Sequence, residues 1–249
     1  MQAALNSYSW TLAKEDDDNG STYFVPYTIQ EIYPSSGPIS GGTEVIVQGR
    51  GFGSSDVGDI PRCRFGSPSN YAIVEAEILS YNRLVCRSPP GLSIVSPQVW
   101  PLDVPFAVAL TNDNFDPWTE TSHKFRFYKQ PVIDHIIPAE VNVGLMTEVI
   151  AIIEPDEAHP DNVFFQALPG NIHDNSFLDE EAPMLTGGYG SIKCSFGRFG
   201  ETIAIYQNST AIKCVTPSVP DSPEDIFQET ITFAIAPNGV DFNEQDSEI

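Results

Sequence analysis

Four cysteines are the residues in this sequence whose spacing most clearly predicts chemistry. They fall into two pairs with similar separations, Cys63 with Cys86 and Cys194 with Cys214. Because no two of them stand in a Cys-x-x-Cys arrangement, the spacing supports neither a zinc site nor a redox motif. We predict two local disulfides, one in each of two domains, and such bonds form in oxidising compartments. Four buried, reduced cysteines are the alternative.

Two N-glycosylation sequons point to the same compartment. They begin at Asn19 and at Asn208, and sequons of this type accept glycans on the surface of secreted proteins. The first residues, Met1 to Asn6, lack the basic region and apolar core of a signal peptide. We therefore expect an N-glycosylated extracellular or cell-surface protein, of which this chain is a segment.

Acidic residues dominate the charge of the chain. Its 249 residues include 34 Asp and Glu against 12 Lys and Arg, a net charge of −22. Proteins that bind nucleic acid need basic residues to neutralise phosphates, so this balance argues against that class. Hard cations bind clustered carboxylates, which makes Asp16, Asp18, Asp113 and Asp116 weak candidates for calcium ligands. The alternative is that these residues belong to solvated acidic loops. We expect no other cofactor.

The patterns that usually mark an enzyme are missing from the sequence. The four histidines, His123, His135, His159 and His173, are scattered, whereas metal sites cluster their ligands. The sequence contains neither a Gly-x-Ser-x-Gly elbow nor a phosphate-binding Gly-Lys-Ser/Thr loop. No run of about 18 apolar residues marks a membrane span within it. We predict a scaffold or recognition role without catalysis.

The cysteine pairs lie within two copies of one pattern of strands and turns. In the first copy a turn rich in proline and glycine, from Tyr33 to Gly42, precedes an alternating strand from Thr43 to Val47. Such β-branched alternation fits a half-buried sheet. A weaker copy occupies residues 138–152. Short apolar runs separated by turn residues predict an all-β chain of tandem immunoglobulin-like β-sandwiches.

We divide the chain into three parts on this pattern. Residues 1–27 are predicted to be the terminal hairpin of a preceding, partial repeat, and residues 28–128 the first sandwich. Residues 129–249 are predicted to form a second sandwich that lacks its last strand and carries an insertion at about 154–190. A loop of that length either folds back on its domain or meets a partner. The short, proline-containing link at Pro131 predicts a semi-rigid junction.

The ordered motifs of the first repeat resemble those of the IPT/TIG family of immunoglobulin-like domains. They are Ile32-x-Pro34, Gly37-Pro38, Gly41-Gly42-Thr43, Val47-x-Gly49, Phe52, Cys63-x-Phe65-Gly66 and Cys86-x-Ser88-Pro89. The resemblance implies an immunoglobulin-like sandwich with Cys63–Cys86 and Cys194–Cys214 bonded. Members of this family occur in plexins, in scatter-factor-type receptors, in Rel-type transcription factors and as accessory domains of starch-active enzymes. The extracellular members usually act as spacers or adhesion modules in longer chains.

We expect the chain to be a non-enzymatic structural or adhesion segment of a large extracellular tandem-repeat protein. It would form a rod or filament with protein partners or with further copies of itself, either as part of a longer array or by head-to-tail polymerisation. The alternative is a ligand-binding segment from the ectodomain of a cell-surface receptor. A Rel-like DNA-binding protein and an accessory domain of a glycan-active enzyme are more distant alternatives, and the net charge argues against the first of these.

Overall fold

The fold is given by a computed structural model of the chain. The residues that it describes are 2–6, 9–12, 27–53, 60–91, 94, 101–110, 118–119, 123–142, 145–155, 192–208, 210–218, 230–243 and 247–248. Within them, no helix is long and apolar enough to cross a membrane.

Strands account for nearly all regular structure in the described residues. In chain order they are β1 (Gln2–Asn6), β2 (Ser9–Leu12), β3 (Thr28–Tyr33), β4 (Ser36–Pro38), β5 (Glu44–Arg50), β6 (Arg62–Ser67), β7 (Asn70–Ser80), β8 (Arg83–Arg87), β9 (Leu102–Ala109), β10 (Lys124–Tyr128), β11 (Ile133–Ile137), β12 (Glu148–Ile153), β13 (Lys193–Phe196), β14 (Glu201–Ile203), β15 (Ile205–Asn208), β16 (Ala211–Val215), β17 (Thr232–Ala236) and β18 (Ser247–Glu248). A short 3-10 turn, Gly197–Phe199, follows β13. The predicted all-β immunoglobulin-like class is confirmed.

Strands β3 to β10 form a sandwich whose two sheets share one long strand. The last residues of β7, from Ala76 to Ser80, pair with β8 and extend the sheet β3-β5-β8. The first residues, from Asn70 to Glu75, pair with β6 and extend the sheet β6-β9-β10-β4. Because side chains alternate between the faces of a strand, each sheet sends every second residue inward. The phenylalanines Phe65, Phe106, Phe125 and Phe127 meet there mostly edge to face, with ring centroids 5.0–6.3 Å apart.

A second group of strands repeats this order. Strands β11-β12-β16-β15 form one sheet and β14-β13-β17-β18 the other. Strands β14 and β15 take the places of the two halves of β7, with Ala204 between them. We expected the last strand of this sandwich to be missing. A two-residue strand, β18, pairs with β17 at that position, where the first sandwich has the five-residue β10.

The described part of the predicted N-terminal hairpin consists of two paired strands. The structure pairs Gln2–Asn6 with Ser9–Leu12. The sequence also predicts that the apolar run at Ala3–Leu5 returns through an acidic loop to a strand at residues 22–24. Those residues lie outside the described part of the chain, so this longer hairpin stays a prediction.

Hydroxyl groups fix the turn that opens each sandwich. The Ser88 hydroxyl accepts a 3.1 Å hydrogen bond from the Thr43 amide, and the Thr216 hydroxyl accepts a 2.9 Å bond from the Thr147 amide. Ser88 and Thr216 each follow the second cysteine of their pair by two positions. Gly41 has φ +77° and lies against the backbone of Pro89, where a β-carbon would not fit. The Pro/Gly-rich turn thus packs against the segment that follows the disulfide.

Candidate functional site

Both predicted disulfides are present in the structure, and each joins the two sheets of its sandwich. Cys63 on β6 is bonded to Cys86 on β8, with α-carbons 6.5 Å apart. Cys194 on β13 is bonded to Cys214 on β16, with α-carbons 6.3 Å apart. All four residues are buried in their cores. The pairs therefore cross-link the two layers of each sandwich at equivalent strands.

The predicted calcium ligands and the first sequon cannot be placed in the fold. Asp16, Asp18, Asp113, Asp116 and Asn19 lie outside the described residues, as does most of the insertion predicted at 154–190. The described residues contain no group of three or more side chains arranged to hold a metal ion.

The second sequon lies at the exposed turn between β15 and β16. The Asn208 side-chain oxygen accepts hydrogen bonds from the Thr210 amide at 2.9 Å and from the Thr210 hydroxyl at 3.2 Å. Asn208 is exposed to solvent at this turn. The side-chain amide of the sequon is thus engaged with the hydroxyl of its own third residue, on the surface.

A network of polar side chains joins the two sandwiches. It begins at Tyr128, the last residue of β10, which is 1% exposed and packs into the core of the second sandwich. The Tyr128 carbonyl accepts a 2.8 Å hydrogen bond from the amide of Ile39, in the opening turn of the first sandwich. The side chain therefore anchors the second core while the backbone still belongs to the first sheet.

Asn238 is the centre of this junction. It follows β17 in a Pro-Asn-Gly turn, in which Gly239 has φ +76°. The Asn238 side-chain oxygen accepts hydrogen bonds from the Val240 and Asp241 amides at 3.1 and 2.8 Å, which closes the turn. Its side-chain nitrogen donates a 2.8 Å bond to the Ser36 carbonyl of the first sandwich. Asn238 is only 1% exposed, so these bonds satisfy a buried amide.

A hydroxyl and a carboxylate complete the contact between the sandwiches. The Thr43 hydroxyl donates a 2.7 Å hydrogen bond to Oδ2 of Asp241, and the Asn238 side-chain nitrogen donates a second 2.7 Å bond to the same oxygen. Hydrogen bonds to an ionised acceptor are about twice as strong as neutral ones. Thr43 is fully buried, and Gly37 leaves the space that its hydroxyl occupies.

The linker is tied down by the same segment of the second sandwich. The Gln130 side chain donates a 3.4 Å hydrogen bond to the Asp241 carbonyl, and the Asn243 side chain donates a 3.3 Å bond to the Pro131 carbonyl. Asn243 also accepts a 2.7 Å bond from the Ile235 amide of β17. Asn243 therefore connects the linker to β17 of the second sandwich, and Gln130 connects the linker to the turn that follows β17.

The electrostatics of the junction affect Tyr128 most strongly. Burial and the nearby negative charge of Asp241 raise the pKa of the Tyr128 phenol well above its ordinary value, while a hydrogen bond with the Asn238 backbone opposes them. The neutral phenol is thus the form that this site stabilises. The sequence predicted a semi-rigid junction from the shortness of the link, but it did not predict this network. The Asn-Gly turn followed by an aspartate was the available signal, because such turns often carry a side chain that bonds to backbone amides.

Residues 27–127 match the model of the IPT/TIG domain family. Together with the strand order and the inter-sheet disulfide, this match makes the first sandwich an IPT/TIG domain, and the resemblance predicted from its motifs is confirmed.

The solved structures that this chain matches include extracellular regions of plexin A4. One, described as the full extracellular region with domains 1 to 10, is 15% identical, with a TM-score of 0.49 and coverage of 92% of this chain. Another, with domains 1 to 8, is 10% identical, with a TM-score of 0.33 and coverage of 90%. The chain spans only 16% and 24% of these two proteins, respectively. No curated protein sequence matches it.

Proposed function

We propose that this chain is a non-enzymatic segment of the extracellular region of a receptor-type protein. In this segment two sandwiches are held in one fixed relative orientation and act as a spacer that sets the positions of neighbouring domains. The observation that carries the proposal is the junction in which Asn238 and Asp241 bind the opening turn of the first sandwich at Ser36 and Thr43. Two domains joined by a flexible linker would not need buried, hydrogen-bonded polar side chains between them.

The location outside the cell is supported by the two buried disulfides. Disulfides persist in oxidising compartments and are rare in the cytosol. IPT/TIG domains also occur inside cells, in Rel-type DNA-binding proteins, but a net charge of −22 opposes contact with nucleic acid. An extracellular or cell-surface protein therefore fits the bonded cysteines and the charge better than an intracellular one.

Such a spacer works because the orientation of one sandwich fixes the orientation of the other. Each disulfide ties two sheets together, so that a sandwich moves as one body. The junction then couples the bodies, because a hinge motion would have to separate Thr43 from Asp241 and leave the buried Asn238 amide without partners. A ligand-induced change at one end would reach the other as a rotation of the whole segment.

Sedimentation of the secreted chain distinguishes the proposed spacer from a self-assembling structural array, which the sequence also predicts. The chain is expressed behind a secretion signal in animal cells and analysed by sedimentation velocity and thiol titration. We expect a secreted monomer without free thiols. Concentration-dependent polymers would favour a self-assembling structural array, and retention in the cell with free cysteines would contradict the extracellular proposal.

A further inference from the structure

The outer face of one sheet of the first sandwich carries a compact group of basic, aromatic and aliphatic side chains. Strand alternation places Arg62 and Arg64 of β6 outside, because Cys63 and Phe65 point into the core. On the adjacent β7, Ile73 lies directly across from Arg64, and Tyr71 lies two pairs further along, opposite Gly66. Tyr71 is 46% and Ile73 42% exposed. We call Arg62, Arg64, Tyr71, Ile73 and Trp118 the outer patch.

Trp118 holds the two arginines in place. Its ring lies 4.9 Å from the Arg64 guanidinium carbon and 5.6 Å from that of Arg62, within the range of a cation–π contact. The next residue, Thr119, is fixed to β9 by hydrogen bonds in both directions with Val108, at 2.9 and 3.0 Å. The tryptophan is thus anchored to the sheet, and the guanidinium groups are oriented before any partner arrives.

Arg64 is incompletely satisfied. Its Nε is buried and has no hydrogen-bond partner in the described part of the chain, and partial burial lowers the pKa of its guanidinium. Arg126, on the same sheet, differs because it forms an ion pair with Asp103 across β9 and β10, with an Nη2–Oδ2 distance of 2.8 Å. Arg64 forms no ion pair with any described residue. A partly desolvated cation of this kind costs free energy, and a carboxylate that approached it would offset that cost.

The charge of the chain is unevenly distributed around this patch. Residues 28–128 contain 10 acidic and 7 basic residues, whereas residues 129–249 contain 20 acidic and 4 basic ones. The outer patch therefore presents two arginines, with Glu75 of β7 directly across from Arg62, in the least acidic part of a strongly acidic protein. A long polyanion would be repelled by most of the molecule, whereas a short acidic element would meet only the patch.

We propose that the outer patch binds a protein partner that presents a carboxylate flanked by apolar side chains. Arg, Trp and Tyr are the residue types that dominate the binding energy of protein interfaces, and here they surround a preoriented cation. The carboxylate pairs with Arg64, while the apolar neighbours cover Tyr71 and Ile73. All these residues belong to the first sandwich, so the proposal adds a partner to the extracellular segment without resting on the geometry of its junction.

A displayed random-peptide library, panned on the intact chain, is the probe for this site. The enriched peptides are synthesised and titrated onto the intact chain, and their binding is followed by 15N NMR. We expect enriched sequences with Asp or Glu beside apolar residues and saturable shifts of the Trp118 indole N–H. The indoles of Trp10 and Trp100 serve as internal references.

Substitutions within the outer patch, and competition by a polyanion, test whether the peptides bind at this site. We expect Arg64→Gln to weaken peptide binding by about tenfold or more, as the loss of a charge-assisted hydrogen bond implies. Tyr71→Ser, at an exposed position, should also weaken it, whereas Arg83→Gln on the outer face of the opposite sheet should change it less than about twofold. The proposal is overturned if no acidic peptides are enriched, if Arg64→Gln and Tyr71→Ser bind normally, or if heparin binds the patch more tightly than the peptides.

Discussion

The hydroxyl of Thr43 in the first sandwich donates a 2.7 Å hydrogen bond to the carboxylate of Asp241 in the second, 198 positions later in the chain. Thr147 occupies the equivalent position in the second sandwich, but its hydroxyl lies 3.4 Å from the carbonyl of Leu145 in an exposed loop. The two equivalent threonines therefore differ in what they join. The Thr43 hydroxyl bonds to the other sandwich, whereas the Thr147 hydroxyl bonds only within its own turn. This contrast provides a test with a built-in control.

A double-mutant cycle with Thr43→Val and Asp241→Ala should show coupling across the junction. A hydrogen bond to a charged group contributes about 1.5–3 kcal/mol, so we expect a coupling energy of that size in the free energy of unfolding. The measurement is urea denaturation of the intact chain, followed by signals from both sandwiches. Thr147→Val combined with Asp241→Ala should be additive, and additivity of the Thr43 pair as well would contradict the network.

The stability of the chain should fall at alkaline pH because of Tyr128. The folded site raises the pKa of the phenol, so above about pH 10 the unfolded chain releases a proton that the folded chain retains. Stability from this group is complete below that pH and is lost as pH rises, by about 1.4 kcal/mol per pH unit.

Thermal unfolding between neutral pH and pH 11 measures this loss. Tyr128→Phe should flatten the alkaline limb, while Tyr81→Phe, at an exposed position, should leave it as in the unmodified chain. Equal alkaline slopes in all three proteins would rule out the role given to Tyr128.

Each disulfide should contribute independently to the stability of its own sandwich. The bonded residues are separated by 23 and 20 positions, and bonds that close loops of this length typically contribute about 2–4 kcal/mol. We expect Cys63→Ala with Cys86→Ala to destabilise the first sandwich by that amount. The change is measured by denaturation under non-reducing conditions.

The same bonds should resist reductants in the folded state, because all four cysteines are buried. Mass spectrometry after incubation with dithiothreitol should show little reduction without denaturant and complete reduction with it. Rapid reduction of the folded chain would mean that the bonds are exposed, contrary to the structure.

Asn208 should carry an N-linked glycan when the chain is produced in the secretory pathway. Its turn is exposed, and the Thr210 hydroxyl is already positioned against its side chain. Asn208→Gln should remove one glycan mass and shift the protein on a gel, as glycosidase treatment would. Asn82→Gln, at an exposed asparagine outside any sequon, should cause no shift. An unmodified Asn208 in secreted protein would contradict the prediction.

The sequence predicted the parts of this fold that depend on local pattern. Alternation between inward and outward residues located β5 and β12, and the similar cysteine separations predicted which strands are cross-linked. These features are encoded within short stretches or repeated in both sandwiches. The family resemblance, carried by short motifs between Ile32 and Pro89, rested on the same kind of local information.

The junction and the outer patch depended on contacts that sequence spacing does not reveal. Asn238 bonds to Ser36 over a separation of 202 positions, and the Pro-Asn-Gly sequence around it indicates only a turn. Tyr128 ends a strand of the first sandwich but belongs to the core of the second. Trp118 lies half-buried beside two arginines on a sheet surface. Each of these placements is decided by tertiary packing rather than by neighbours in the chain.

The fixed orientation of the two sandwiches is tested most directly by residual dipolar couplings of backbone amides in the intact chain. The measurement uses amides from β3 to β10 and from β11 to β17, and it is repeated on an Asn238→Ala variant. We predict that one alignment tensor fits both sandwiches in the unmodified chain, and that the variant requires two. Two different tensors in the unmodified chain would show that the sandwiches move independently and would contradict the spacer proposed here.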